Sequence, residues 1–289
     1  MRLRAKTAAF VCIVLVVVLA PAVGTQAADN NGGLFILLSN DDGYDAPGLR
    51  ALAEALAPLG TVVVAAPHEN NSGVGHATTT REFVRVREVE IVPGVKGWAI
   101  SARPATCVRM ALENLLDGKK PDVVVSGINR GENLGIVVNY SGTLGAAREA
   151  AIAGVAAIAV SMGGNDLGDY RRTAEFIREL IAQLKAGGRL KPGLFLNVNA
   201  PAGERKGVMT TRQSTQSTPQ LFTRFTSPRD TLYVWPDYAG RTEDVEGTDV
   251  WAFQNGYIAV TPLQLDTTDT GSLGWLKQMK LEEAAPAPR

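Results

Sequence analysis

Leu34-Phe35-Ile36-Leu37-Leu38-Ser39, running straight into Asn40-Asp41-Asp42-Gly43, is the stretch from which the rest of the chain is read. The apolar run has strand length, and it delivers two adjacent carboxylates to the point where a buried strand ends. Like charges side by side repel, so a cation is expected between or near them. Asn, Asp and Gly are also plain turn formers, and a simple turn accounts for these four residues equally well when they are taken alone.

Outward from this stretch, apolar segments of strand length alternate with amphipathic segments of helix length. Pro47 to Leu59 reads as a helix and Thr61 to Ala66 as a strand. Asp122 to Ser126 reads as a strand, Thr143 to Ala153 as a helix and Val155 to Ser161 as a strand. This rhythm predicts βαβ units around a mostly parallel sheet. Val62-Val63-Val64 and Val123-Val124-Val125 are apolar on both faces, so helices must cover the sheet on both sides. The expected fold class is therefore α/β, a three-layer core with a mostly parallel sheet. Phe83 to Val92 with Trp98 to Ile100 reads as an inserted antiparallel piece, Asp169 to Ala186 as a surface helix and Leu194 to Asn199 as a further strand.

The character changes after Pro201. From Arg205 to Pro262 there are clusters of Gln, Thr, Ser and Pro, with Phe222, Phe225, Tyr233, Trp235 and Tyr238 among short strand-like pieces. The expected domains are an α/β core over 34–204, then a hairpin-rich arm and a helix near Ser272 to Glu283 over 205–283, and a loose tail over 284–289. Clustered aromatics that leave a core need a surface to cover them, so a homo-oligomer, dimer or tetramer, joined through this arm is expected.

Met1-Arg2-Leu3-Arg4-Ala5-Lys6, the apolar stretch Ala8 to Ala20, and the small residues up to Thr25-Gln26-Ala27 have the layout of an export signal cut near Ala27. The alternative is an uncleaved N-terminal anchor, although the run is short for a bilayer. Both place the body of the protein outside the cytoplasm, periplasmic or secreted. Cleavage would leave 26 basic and 29 acidic residues, a net charge of −3, so bulk charge predicts neither nucleic-acid nor membrane-surface binding. Of the two cysteines, Cys12 lies in the leader. Cys107 falls in an apolar-periodic segment and is expected in a helix core.

In open parallel sheets, ligands bind beyond the carboxyl ends of the strands. Three such ends here carry hard oxygen donors: Asp41 and Asp42, Ser72 in the loop Pro67 to Thr80, and Asn129 in Ser126-Gly127-Ile128-Asn129-Arg130-Gly131. That donor set suits Mg²⁺, Mn²⁺ or Ca²⁺ rather than zinc. His68 and His76 sit in a Gly/Asn/Ser loop, where solvated or turn-stabilising roles are expected. Further on, Asn139-Tyr140-Ser141-Gly142-Thr143 opens an Ala-rich helix. Ser141 and Thr143 can serve as ordinary N-cap residues, or the same helix start can hold a phosphate through its N–H groups and dipole. A cation facing such a helix start is the arrangement that phosphate-ester hydrolysis needs.

Taken together and in order, Asn40-Asp41-Asp42-Gly43 with Gly48, Ala66-Pro67 followed by Ser72-Gly73, Ser126-Gly127-Ile128-Asn129-x-Gly131-x-Asn133-x-Gly135, Tyr140-Ser141-Gly142-Thr143, Asn197-Val198-Asn199-x-Pro201 and Gly256-Tyr257-x-x-Val260-Thr261-Pro262-Leu263 resemble the SurE family of 5′-nucleotidases, over about Leu34 to Asp266. The resemblance implies a Rossmann-like core, a C-terminal arm exchanged between subunits, and divalent-metal-dependent removal of phosphate from nucleoside monophosphates. It places one cation per subunit, Mg²⁺ or Mn²⁺, on Asp41, Asp42, Ser72 and Asn129. Substrate-side residues fall on Asn133, Ser141, Gly142 and Thr143, and the catalytic set on Asp41, Asp42, Asn133 and Ser141.

The chain also departs from the family pattern. His68-Glu69-Asn70-Asn71 stands where the family has an Asp and basic residues. Ala102-Arg103-Pro104-Ala105-Thr106-Cys107 replaces a Gly-Thr-Pro-x-Asp-Cys, and Ile136-Val137 an acidic pair. These changes spare the metal ligands and bear on substrate preference. The leader is a further departure, because the family is usually cytoplasmic. A broad exported acid phosphatase and a non-catalytic nucleotide- or phosphate-binding protein are the alternative functions.

Overall fold

The computed structural model describes residues 32–216, 220–238 and 245–279. The leader over 1–27, the tail over 284–289 and the last residues of the helix expected to end at Glu283 lie outside the described residues.

Four parallel strands form the centre of the sheet: β1 (Leu34–Ser39), β2 (Gly60–Pro67), β5 (Val123–Arg130) and β6 (Ala156–Met162), with β7 (Phe195–Ala200) parallel beside β6. Between and after them run α1 (Pro47–Leu56), α2 (Pro104–Met110), α3 (Gly142–Ile152) and α4 (Leu167–Ala186). Two apolar layers result. On one face Ile36, Leu38, Val64, Val125 and Ile158 pack with Leu49 and Leu52 of α1 and Ile177 and Ile181 of α4. On the other, Leu37, Val124 and Ala157 pack with Cys107 and Val108 of α2 and Leu144 and Ala147 of α3. The alternation of neighbours along one strand, Ile36 and Leu38 one way and Leu37 the other, is why the strands read as apolar throughout. Cys107 is fully buried, and burial pushes its thiol up to about 12, as befits a packing residue.

The sheet is wider than the βαβ rhythm suggests: among the described residues it has nine strands, in the order β3 (Val86–Val92), β4 (Val95–Ile100), β2, β1, β5, β6, β7, β11 (Tyr257–Pro262) and β8 (Gly207–Thr210). The antiparallel pair β3 (Val86–Val92) and β4 (Val95–Ile100) is no separate insertion: β4 pairs in parallel with β2, and β3 makes one edge. Its buried Ala99 and Ile100 give it the apolar faces an internal neighbour requires. At the other edge, two pieces of the stretch expected as an arm return to the sheet. β11 (Tyr257–Pro262) pairs antiparallel with β7, and β8 (Gly207–Thr210) pairs in parallel with β11. α5 (Asp249–Gln254) leads into β11, capped by Thr248.

What stands apart is one hairpin, β9 (Gln220–Thr226) with β10 (Leu232–Tyr238), paired in register from Leu232 opposite Thr226 to Tyr238 opposite Gln220. Among the described side chains, none from this hairpin joins either core layer. Helix α6 (Thr270–Gln278) follows, capped by Asp269. No helix among the described residues is long and apolar enough to cross a membrane.

Candidate active site

Strand order reverses at β1, with β2 on one side and β5 on the other, and the carboxyl ends of β1 and β5 meet there. This is the topological switch point at which open α/β sheets bind ligands. Asp41 and Asp42 leave the end of β1, and Asn129 sits at the end of β5. The turn carrying the two acids is held by the buried Asn40, whose Nδ2 donates to the Gly43 carbonyl at 2.8 Å. Along β5 the register slips between Ser126 and Asn129. Gly127 occupies that bulge with φ +141°, and a Cβ there would meet the Val160 carbonyl oxygen at 2.2 Å, so glycine is required to present Asn129.

Asp41 is the most enclosed acid of the site, only 3% exposed. Its Oδ1 accepts from the Thr143 hydroxyl at 2.6 Å, and its backbone carbonyl accepts from the Asn71 N–H at 2.6 Å. Burial pushes the Asp41 carboxyl up to about 6; the Thr143 hydrogen bond works against that shift and the charge of Asp42 adds to it. Burial also raises Asp42, opposed by the Arg130 N–H, which donates to its Oδ2 at 3.0 Å. Asn70 Nδ2 reaches the other Asp42 oxygen at 3.4 Å. The loop after β2 is thus tied to both acids, and it carries Ser72, exposed and turned by an N–H bond to Asn70 Oδ1 at 2.9 Å.

The start of α3 closes on the same acids. A Cβ on Gly142 would lie 2.8 Å from both Cβ and Oδ2 of Asp41, so only glycine leaves that carboxylate oxygen its space. Ser141 caps the helix, accepting from the Leu144 N–H at 3.2 Å. Thr143, read from sequence as a phosphate-side residue, has its hydroxyl on Asp41. Asn133 is buried behind the strand ends: its Nδ2 donates to Ser161 Oγ at 2.8 Å and its N–H to Asn199 Oδ1 at 2.7 Å. Its carbonyl accepts from Asn197 and Asn199 at 2.8 and 3.2 Å.

The donor set suits a hard cation. Two carboxylates raised by burial, Asp41 also by the charge of Asp42, are stabilised in their charged forms by a positive ion. Asn129 spends its Nδ2 on the carbonyls of Arg130 and Gly131, at 3.3 and 2.8 Å, which leaves its Oδ1 as a neutral oxygen ligand.

The chain belongs to the SurE family. The family model "Survival protein SurE" matches residues 36–220. Among similar proteins, a 5′-nucleotidase SurE of Pelotomaculum thermopropionicum is 40% identical over 84% of this chain and 94% of its own length. One of Geobacter sulfurreducens is 42% identical over 87% of this chain and 95% of its own. The crystal structure of the SurE protein from Aquifex aeolicus superposes with a TM-score of 0.74 at 37% identity, covering 85% of this chain and 99% of that one. This is the SurE fold, and the switch-point site lies in its matched region.

Several contacts at this SurE site had no local signal. His76 is not a free turn residue: its Nε2 lies 2.7 Å from Oε2 of Glu149, a buried acid on α3 whose Oε1 accepts from Arg109 of α2 at 2.6 Å. Burial alone would raise Glu149, but the His76 and Arg109 hydrogen bonds outweigh it and hold the carboxyl below its ordinary range. Asn71 and Arg103, joined by a 2.8 Å hydrogen bond, were also invisible as a pair because 32 positions separate them.

Proposed function

We propose that this chain is a divalent-metal-dependent phosphomonoesterase that releases phosphate from nucleoside 5′-monophosphates. The observation that carries the reading is the buried Asp41 carboxylate, placed between Asp42 and the start of α3, in a chain whose relatives bear the name 5′-nucleotidase. Asp41 and Asp42, with Ser72 and Asn129, would hold one Mg²⁺ or Mn²⁺ per subunit. Such an ion supplies Lewis acidity and neutralises phosphoryl charge when bound. The residues of the chain do the rest. Thr143 fixes the Asp41 carboxylate through its hydroxyl, and Gly142 keeps the approach to that carboxylate open. The α3 start offers its dipole to the phosphoryl oxygens. Asn133, clamped by Ser161 and Asn199, retains one amide hydrogen for the same group.

The exposed rings of β9 and β10 support assembly into a homo-oligomer through the hairpin, and the residues 1–27 support export with cleavage near Ala27. Release of inorganic phosphate from AMP and from p-nitrophenyl phosphate, with and without chelator, tests the activity. Chelator-sensitive turnover that favours AMP is expected. Metal-bound protein that turns over neither ester would leave only nucleotide binding.

A further inference from the structure

Beside the acids lies a cavity of about 470 Å³ that the phosphate chemistry does not use, lined among others by His68, Glu69, Asn71, Thr79, Glu82 and Arg103. Asn71 belongs to both places, because its N–H holds the Asp41 carbonyl and its Oδ1 accepts from Arg103 at 2.8 Å. A phosphate ester seated at Asp41 therefore has this cavity as its neighbour. The volume falls within the range of small-molecule sites.

Its chemistry is that of a neutral, hydrogen-bonding ring system. Glu69 and Glu82 set two carboxylates against the one guanidinium of Arg103, so the cavity has no surplus positive charge to draw a second phosphate. The carboxylates accept from hydroxyl or amino groups, and Arg103 donates to ring nitrogens or carbonyls. Thr79 fixes the wall, with its Oγ1 accepting from the Arg103 N–H at 2.9 Å and its own N–H donating to Thr106 Oγ1 at 2.8 Å.

One element of the lining is built as a plate. The His68 ring is stacked on Tyr44, centroids 5.7 Å apart and 7° from parallel, and Arg87 lies over the same Tyr44 ring at 5.3 Å. Arg87 also donates to the Tyr44 hydroxyl at 3.0 Å. The imidazole is thereby braced from behind by a two-member stack, while His68 itself is exposed. Its backbone is fixed as well, since the His68 N–H donates to the Ile100 carbonyl at 2.8 Å.

We propose that this cavity is the nucleoside subsite, in which the base stacks on His68. The assignment rests on the nucleotidase reading above and names what would distinguish a nucleotide from any other phosphate ester. A base laid on a braced ring gains contact without ordering a mobile side chain.

The test is calorimetric titration of the full-length protein with adenosine, and in parallel with ribose, using wild type, His68→Ala and His68→Phe. Adenosine should bind wild type while ribose does not. His68→Ala should weaken adenosine about tenfold, and His68→Phe should restore it. Melting temperatures check that the variants fold. No adenosine binding to wild type, or equal binding by folded His68→Ala, overturns the subsite. Because adenosine carries no phosphate, this readout stands apart from turnover: retained adenosine binding without AMP hydrolysis would contradict the nucleotidase reading and leave the subsite in place.

Discussion

The acids at the end of β1 and the rings on the β9–β10 hairpin satisfy their surroundings in opposite ways. Asp41 is 3% exposed and meets Thr143, Asn71 and Gly142, contributed by two other segments of the same chain. On the hairpin, Phe222 is 58% exposed, Phe225 56%, Tyr233 58% and Trp235 66%. An apolar surface of this kind is characteristic of an interface. The site is thus framed by segments of this one chain, whereas the rings of the hairpin are left exposed by the described residues. Changes at the first should alter chemistry and spare assembly; changes at the second should do the reverse.

The largest expected effect is at the acids. Asp41→Asn should lower AMP turnover on the order of a thousandfold, by removing a carboxylate from the proposed cation site. The apo protein should melt no lower than wild type, since one of two mutually repelling acids is gone. Turnover within a few fold of wild type would move the chemistry elsewhere. Gly142→Ala comes next. Its Cβ would sit 2.8 Å from Asp41 Oδ2, and a displacement of that size should reduce kcat roughly a hundredfold. Steady-state kinetics on a variant that melts normally would check this.

The frame behind the site gives an effect on stability. Glu149→Gln removes the charge that pairs with His76 and Arg109, and should cost about 1 to 3 kcal/mol at neutral pH. The Glu149 pKa is depressed in the fold, so its contribution is complete above the unfolded value, about 4.3, and is lost as pH falls through the folded one. Urea midpoints of wild type and variant should therefore converge as pH falls below the unfolded value and through the folded one. A gap independent of pH would show that packing, not charge, is what Glu149 supplies. The smallest effect on the core belongs to the hairpin. Phe225→Ser with Trp235→Ser should shift sedimentation toward the monomer mass while changing core stability by no more than about 0.5 kcal/mol. A monomeric wild type would remove the contrast between the two regions.

How much of this was legible in the sequence follows from the range of each interaction. β1 and its acids were readable because a strand and the turn after it are local, and the match to Leu34–Ser39 is complete. α3 and its cap Ser141 were readable for the same reason. β8 and β11 were hidden in a stretch without periodic pattern, since each is placed by pairing to a distant strand; β11 completes the sheet only by running against β7. The partner of His76 lies 73 positions away on α3, and no local signal links them. Thr143 shows a subtler limit: its place at a helix start was evident, but the direction of its hydroxyl, toward Asp41 rather than outward, is set by how α3 lies across β1. The His68 stack has the same origin, because Tyr44 reaches it from the turn after β1.

The most direct test of the central claim is calorimetric titration of metal-free protein with Mn²⁺, comparing wild type with Asp41→Asn. Wild type should bind one ion per subunit, and binding should be weakened beyond detection in the variant, with both proteins folded. Equal stoichiometry and affinity in the two would contradict the claim that the acids at the end of β1 hold the cation.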